Sequence, residues 1–172
     1  AYTADKNTLR LVDAYARYLS RTGDKAGALQ VYSDFNSVLP NHPLVAAAVA
    51  DLNAGKTLDP LVKSADQGAA EVLYGLGSAG NRQGDEVAAM VYLRLSLHLW
   101  PRNGLTLITL ADLYDRLKQN EQAIAVYESV PEANPLRTTA DIKIAQVLDN
   151  LGQKSDSAKY LQDIVAANPN DE

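Results

Sequence analysis

No cysteine occurs in the 172 residues. That absence excludes disulfides, thiolate nucleophiles and cysteine-based zinc or iron–sulfur sites together, while leaving the redox compartment open. Histidine is nearly as scarce: His42 and His98 are the two. A metal site would need further ligands in register with them, and none is evident, so no metal and no cofactor is expected. Each reads as a histidine near the end of a helix, where the dipole favours it. Basic clusters are missing too. Lysine and arginine number 16 against 21 acidic residues, for a net charge of −5, and both signs are spread evenly along the chain. With no cationic patch to release counterions or hold headgroups, nucleic acid and anionic membrane surfaces are not expected as partners. The longest apolar run, Pro43 to Ala50, falls far short of the roughly 20 residues of a membrane span, so membrane insertion is not expected. The first residues, Ala-Tyr-Thr-Ala-Asp-Lys, show neither an initiating Met nor the basic-then-apolar layout of a signal peptide, which predicts a piece of a longer protein.

What is present is ordinary in bulk and regular in detail. Hydrophobic residues make up 47% and charged residues 22%, the balance of a soluble domain able to bury a core. Pro101, Pro135 and Pro169 recur every 34 residues. On that ruler Leu76, Leu110 and Ile144 align, as do Gly77, Ala111 and Ala145, then Ala89, Ala123 and Ser157, then Leu93, Tyr127 and Leu161. An earlier stretch ending near Pro40 keeps the same order through Tyr15, Ala16, Leu19, Gly23, Ala28, Tyr32 and Phe35. Apolar spacing within each unit is helical, as in Leu107, Leu110, Ala111 and Tyr114. Breaks at Gly23-Asp24, Gly84-Asp85, Gln119-Asn120 and Gly152-Gln153 divide each unit into two helices. A glycine can close one helix in the left-handed conformation, and Asp or Asn can cap the next. The small residue at Ala16, Gly77, Ala111 and Ala145 lets two backbones approach where a leucine would hold them apart.

These columns resemble the tetratricopeptide repeat (TPR), a unit with a large apolar residue at position 7, Gly or Ala at 8, Tyr or Leu at 11, Ala at 20, an aromatic or Leu at 24 and Pro at 32. The resemblance implies an all-α fold, a right-handed α-α superhelix built from antiparallel helix pairs. Expected divisions are a tail of a preceding repeat at 1–8, units at 9–42, 70–103, 104–137 and 138–172, and a shortened, degenerate helical repeat at 43–69. In that irregular stretch one helix is expected near 43–54 and a second near 60–67, with Pro60 in its first turn. Two departures predict local effects: Gly80 at position 11 should leave a loose spot, and Ser157 followed by Ala158 should shift one inter-helix contact. From Leu11 onward the chain also resembles the middle of long bacterial multi-repeat proteins whose molecular activity is unassigned. Many of those carry a secretory signal, which implies an exported or periplasmic array.

Catalysis is not expected. Gly75-Leu-Gly-Ser-Ala-Gly80 matches the dinucleotide fingerprint, yet it needs a preceding strand and an acid about 20 residues on; here the glycines lie in a helical stretch, and Leu95 and Trp100 stand where the acid would be. No sharp turn presents a serine nucleophile. Asp112 and Asp115 are spaced as helix-surface carboxylates commonly are.

Family resemblance implies instead that the first helix of each unit lines a groove through positions 2, 5, 9, 12 and 13. The candidate partner-binding residues are Arg17, Arg21, Tyr74, Arg82, Leu105, Ile108, Asp112, Asp115, Ile142 and Gln146: arginines toward one end, apolar side chains midway, acids beyond. The carboxylate clamp of some TPR proteins is missing, because positions 5 and 9 hold Asp13/Arg17, Tyr74/Ser78, Ile108/Asp112 and Ile142/Gln146. Two readings stay open at this point. One is a scaffold that takes an extended peptide or helix of another protein in the groove. The other is a spacer or self-association segment of a longer array, with a homodimer formed through exposed terminal repeat faces such as Ala158, Leu161, Ile164 and Val165.

Overall fold

The computed structural model describes residues 6–167. Tyr2 in the expected 1–8 tail, and Pro169 at the close of the last unit, lie outside the described residues. Every regular element among them is an α-helix: α1 (Leu9–Arg21), α2 (Lys25–Asn36), α3 (Pro43–Asn53), α4 (Ala65–Gln83), α5 (Glu86–Leu99), α6 (Gly104–Arg116), α7 (Asn120–Glu128), α8 (Arg137–Asn150) and α9 (Lys154–Ala167). None is long and apolar enough to cross a membrane. The chain divides into two compact units, Ala1–Lys63 and Ser64–Glu172.

In the first unit α1 and α2 form a hairpin, and α3 packs on α2. Gly23 takes φ +91° to end α1, and the Asp24 carboxylate then accepts from the Gly27 N–H at 2.8 Å to start α2. Val12, Ala16, Ala28, Tyr32, Phe35, Val45, Ala48, Leu52 and Leu58 form one buried cluster. Each large side chain among them contributes about 1.5–3 kcal/mol on burial. Gly55, at φ +81°, closes α3 with its N–H on Leu52 O.

The expected short helix near 60–67 does not form. Residues 56–63 carry no helix, and α4 starts at Ala65 behind a Ser64 cap whose Oγ accepts from the Gln67 N–H at 3.1 Å. Pro60 disfavours helical backbone at Asp59, and Leu58 is drawn into the core of the first unit, so the segment stays open where a second helix was expected.

In the second unit α4/α5, α6/α7 and α8/α9 are three hairpins in sequence, with α5 packed on α6 and α7 on α8. The unit is thus a helical solenoid stretch in which each second helix covers its own first helix and the first helix of the following pair. The small-residue column sits at the tightest approaches: Gly77 is buried, Ala111 fully so, and Ala145 nearly so. A Cβ on Gly77 would lie 2.8 Å from Leu93 Cγ and 3.2 Å from the Leu93 backbone nitrogen. Gly80 does not leave the expected loose spot, because the α5 backbone closes on it, with Ala89 N 3.4 Å from where a Cβ would stand. Nor does the contact at Ser157 shift: Ser157 itself is buried, and Ala158 faces out. The break after α6 differs from expectation. Lys118 holds the left-handed backbone at φ +60°, and Asn120 is the first residue of α7, where a capping role was expected.

A buried polar ladder joins the first two hairpins of this unit. Ser96 Oγ donates to Ala70 O at 2.8 Å and lies 3.3 Å from Thr106 Oγ1, while Asn103 accepts from the Thr106 N–H and donates to Glu71 at 3.1 Å. Groups so placed fix the register of the two hairpins, since sliding either would strand a buried hydroxyl.

Candidate functional site

The candidate residues fall in both units. In the first, Arg17 is half-buried and Arg21 exposed. Arg17 is already engaged. Its Nε donates to Asp13 Oδ1 at 2.8 Å, and its Nη1 donates to Asp59 O at 3.1 Å. Asp13, buried under α2, also accepts from Tyr32 Oη at 2.6 Å. Burial first, then the Asp13 charge and hydrogen bond, push the Tyr32 hydroxyl well above the usual phenol range. Position 12 of the same helix, Ser20, accepts from the Leu58 N–H at 3.0 Å. The face expected to be open on α1 therefore carries residues of the irregular segment.

In the second unit the first helices contact in sequence, α4 with α6 and α6 with α8. Two polar ties cross between them. Arg116 of α6 donates to Asn81 of α4, and Lys143 of α8 pairs with Asp112 of α6 at 2.7 Å. Tyr74, Ile108 and Ile142 occupy repeat position 5 of the three helices. Ile142 is 39% exposed, Tyr74 and Leu105 are half-buried, and Ile108 is almost enclosed. Arg82 and Gln146 are exposed, and Asp115 is half-buried. Asp112 is committed twice, since Tyr127 Oη also donates to it at 2.5 Å. Burial, followed by the Asp112 hydrogen bond, raises the Tyr127 hydroxyl above its usual range. At the register of Asp112, Ser78 of α4 has a shielded Oγ without a hydrogen-bond partner.

Gly75, Gly77 and Gly80 all lie inside α4. No loop is available there to cradle a phosphate, and Gly77 is accounted for by Leu93.

Two features escaped the sequence reading. One is the seat of Leu58 and Asp59 on α1. The other is an exposed apolar stripe on α5, Val87, Val91 and Leu95, with Val87 77% exposed. At the same three repeat positions the other second helices carry Ala26, Gln30 and Asp34, Glu121, Ala125 and Ser129, or Ser155, Lys159 and Asp163. Comparing positions 18, 22 and 26 across units would have revealed it. A cavity of about 510 Å³ also opens beside the α7–α8 connection and α9. Its sole lining cation, Arg137, is spent on clamping that connection. It pairs with Asp141 at 2.5 Å and donates to Val130 O at 3.0 Å, and the Asp141 hydrogen bond holds its pKa above the usual value.

Comparison with known proteins gives concordant results. Family models described as tetratricopeptide repeat match residues 81–140 and 139–171, together more than half of the chain. Among solved structures, a crystal structure of MamA protein is 21% identical, with 90% of this chain and 88% of that one covered at a TM-score of 0.56. A second crystal structure of MamA, also 21% identical, covers 87% and 91% at 0.54. MamA from Desulfovibrio magneticus RS-1, residues 41 to the end, is 15% identical and covers 95% and 97% at 0.51. At these identities the likeness is one of fold. No curated protein matches the sequence.

Proposed function

We propose a function on the premise that the chain belongs to the tetratricopeptide repeat family: it is a protein-interaction scaffold, and its ligand is an extended peptide or helix of a partner protein lying across α4, α6 and α8. The observation that carries this reading is that three first helices are tied to one another, Arg116 to Asn81 and Lys143 to Asp112, and that each carries Tyr or Ile at repeat position 5. An apolar row of that kind fits side chains projecting from one edge of a bound segment. Arg82 and Asp115, at opposite signs, supply orientation more than affinity. Asp112 is left to the scaffold, because a partner's cation would have to displace Lys143 first.

The test is a paired capture from the native host with wild-type bait and with Tyr74→Ala/Ile142→Ala bait. Ile108 is spared because it is buried. Expected is the loss of one defined partner from the variant, with an unchanged helical circular dichroism signal. Recovery of the same partners in the same amounts by the folded variant would overturn the reading.

A second reading, self-association, draws support from the Val87, Val91 and Leu95 stripe and from exposed Leu161 and Val165 on α9. Light scattering over a range of concentrations tests it. A constant monomer mass that Val91→Asp leaves unaltered would remove it.

A further inference from the structure

In the first unit the face of α1 that the repeat pattern assigns to ligand is occupied. Residues 56–63 leave α3 at Gly55 in non-helical conformation and fold back onto α1. Leu58 enters the core cluster and is 4% exposed. Its N–H donates to Ser20 Oγ at 3.0 Å, and the carbonyl of Asp59, the next residue, accepts from Arg17 Nη1 at 3.1 Å. Arg17 is aimed by Asp13, which is held in turn by Tyr32. The contacts are those of a peptide in a reader's groove. One apolar side chain is inserted, one backbone N–H and one backbone C=O are read by side chains, and Pro60 follows, favouring the extended form at Asp59. In the rest of the segment Pro60, Leu61 and Val62 are half-buried, and the pairs of Lys56 with Asp51 at 2.7 Å and of Lys63 with Asp59 at 2.6 Å lie at the surface, where such pairs are worth little.

We propose that the Asp13, Arg17 and Ser20 face of α1 is a binding site for an extended segment of the type apolar-acidic-proline, and that Thr57-Leu-Asp-Pro60 fills it in cis as a tethered ligand. This rests on the reading that first-helix faces of this chain take extended segments. A tether of this length gives an effective concentration on the order of millimolar, so a free segment of the same kind competes poorly until the tether is displaced.

The test uses the full chain with residues 56–63 replaced by a Gly-Ser linker of equal length. The probe is a fluorescein-labelled peptide of residues 55–64, followed by polarisation. Expected is binding to the replaced chain at least about tenfold tighter than to wild type. It should weaken when Arg17→Ala or Ser20→Ala is added, or when the peptide carries alanine in place of Leu58. Equal affinity for the two chains overturns the proposal. Should the linker variant lose helical signal, Leu58→Ala in the otherwise intact chain serves instead, with an intermediate gain in affinity expected and no gain overturning the idea. If neither variant folds, residues 56–63 are core and not ligand, which overturns it as well. Tyr74→Ala and Ile142→Ala should leave peptide binding unchanged. Their failure to alter partner capture would sink the α4, α6 and α8 reading alone, whereas loss of peptide binding on Tyr74→Ala would sink this one.

Discussion

Two glycines on one turn of α4 should respond to the same substitution with opposite signs. Alanine in place of glycine inside a helix gains about 1 kcal/mol from the smaller conformational freedom lost on folding. At Gly75 a Cβ would meet nothing within 4 Å, so that gain should appear almost in full, as a rise in Tm of roughly 2–4 °C for a chain of this length. At Gly77 the added carbon would stand 2.8 Å from Leu93 Cγ and 3.2 Å from the Leu93 backbone nitrogen. Leu93 is fully buried and α5 is held at Asp85 by a cap on the Ala88 N–H, so neither side chain nor backbone yields cheaply. Overpacking of this kind costs about 1–3 kcal/mol. After subtraction of the propensity gain, Gly77→Ala should be destabilising by up to about 2 kcal/mol. Urea titrations followed by circular dichroism measure both variants, and agreement of the slopes between them checks that one cooperative unit is being compared. Equal stabilisation by Gly75→Ala and Gly77→Ala would refute the claim that the small-residue column is a packing constraint.

The remaining predictions concern titration and one unpaired hydroxyl. Tyr32 and Tyr127 have hydroxyls held above the ordinary phenol value of 10.0 by burial and by Asp13 or Asp112. Their contribution is therefore complete below pH 10 and falls as pH rises through the folded values, because only the unfolded chain ionises readily. Thermal melts of Tyr32→Phe/Tyr127→Phe should show a shallower alkaline loss, together with a loss near neutrality of about 1.5–3 kcal/mol for the more buried Tyr32 bond. His42 accepts from the Leu44 N–H through Nδ1 at 3.3 Å at the start of α3, and burial, opposed by the Asp13 charge, lowers its pKa below 6.5. Stability should hold above pH 6.5 and decline as pH falls through the folded value, since the unfolded chain then binds the extra proton. His42→Asn, which keeps a capping acceptor without titrating, should flatten that decline in melts between pH 5 and 7. Ser78→Ala removes a shielded hydroxyl without a partner and should stabilise by about 1 kcal/mol. A destabilised Ser78→Ala would mean that the hydroxyl is satisfied.

The periodic part of the fold was legible because packing dictates it. Ala16, Ala28, Ala89, Ala111 and Ala123 are fully buried, and a column of alanines at fixed spacing has few other physical causes. Leu76 shows where the column misleads. It shares position 7 with buried Leu110 and Ile144 yet is 47% exposed, so a repeat column alone does not fix burial. The segment after α3 was misread for a different reason. Thr57-Leu-Asp-Pro60 is compatible with a helix start, and only the long-range contacts of Leu58 with Ser20 and of Asp59 with Arg17 keep it open. No local signal carries those contacts.

The groove residues illustrate a wider limit of reading function from repeat positions. Position 5 is Asp13 in the first unit, where Arg17 and Tyr32 hold it, and position 9 is Asp112 in the third, where Lys143 and Tyr127 hold it. In each case the tyrosine comes from position 24 of the second helix of the same pair, so one carboxylate joins a packing column to the ligand face. A position table counts such an acid as available charge, whereas its lone pairs already serve the hairpin. On the proposed reading recognition falls to Tyr74, Ile142, Arg82 and Gln146, which are half-buried or exposed. If the proposed groove is the site, specificity should follow the shape of its apolar side chains, with surface charge setting the rate of encounter more than its outcome.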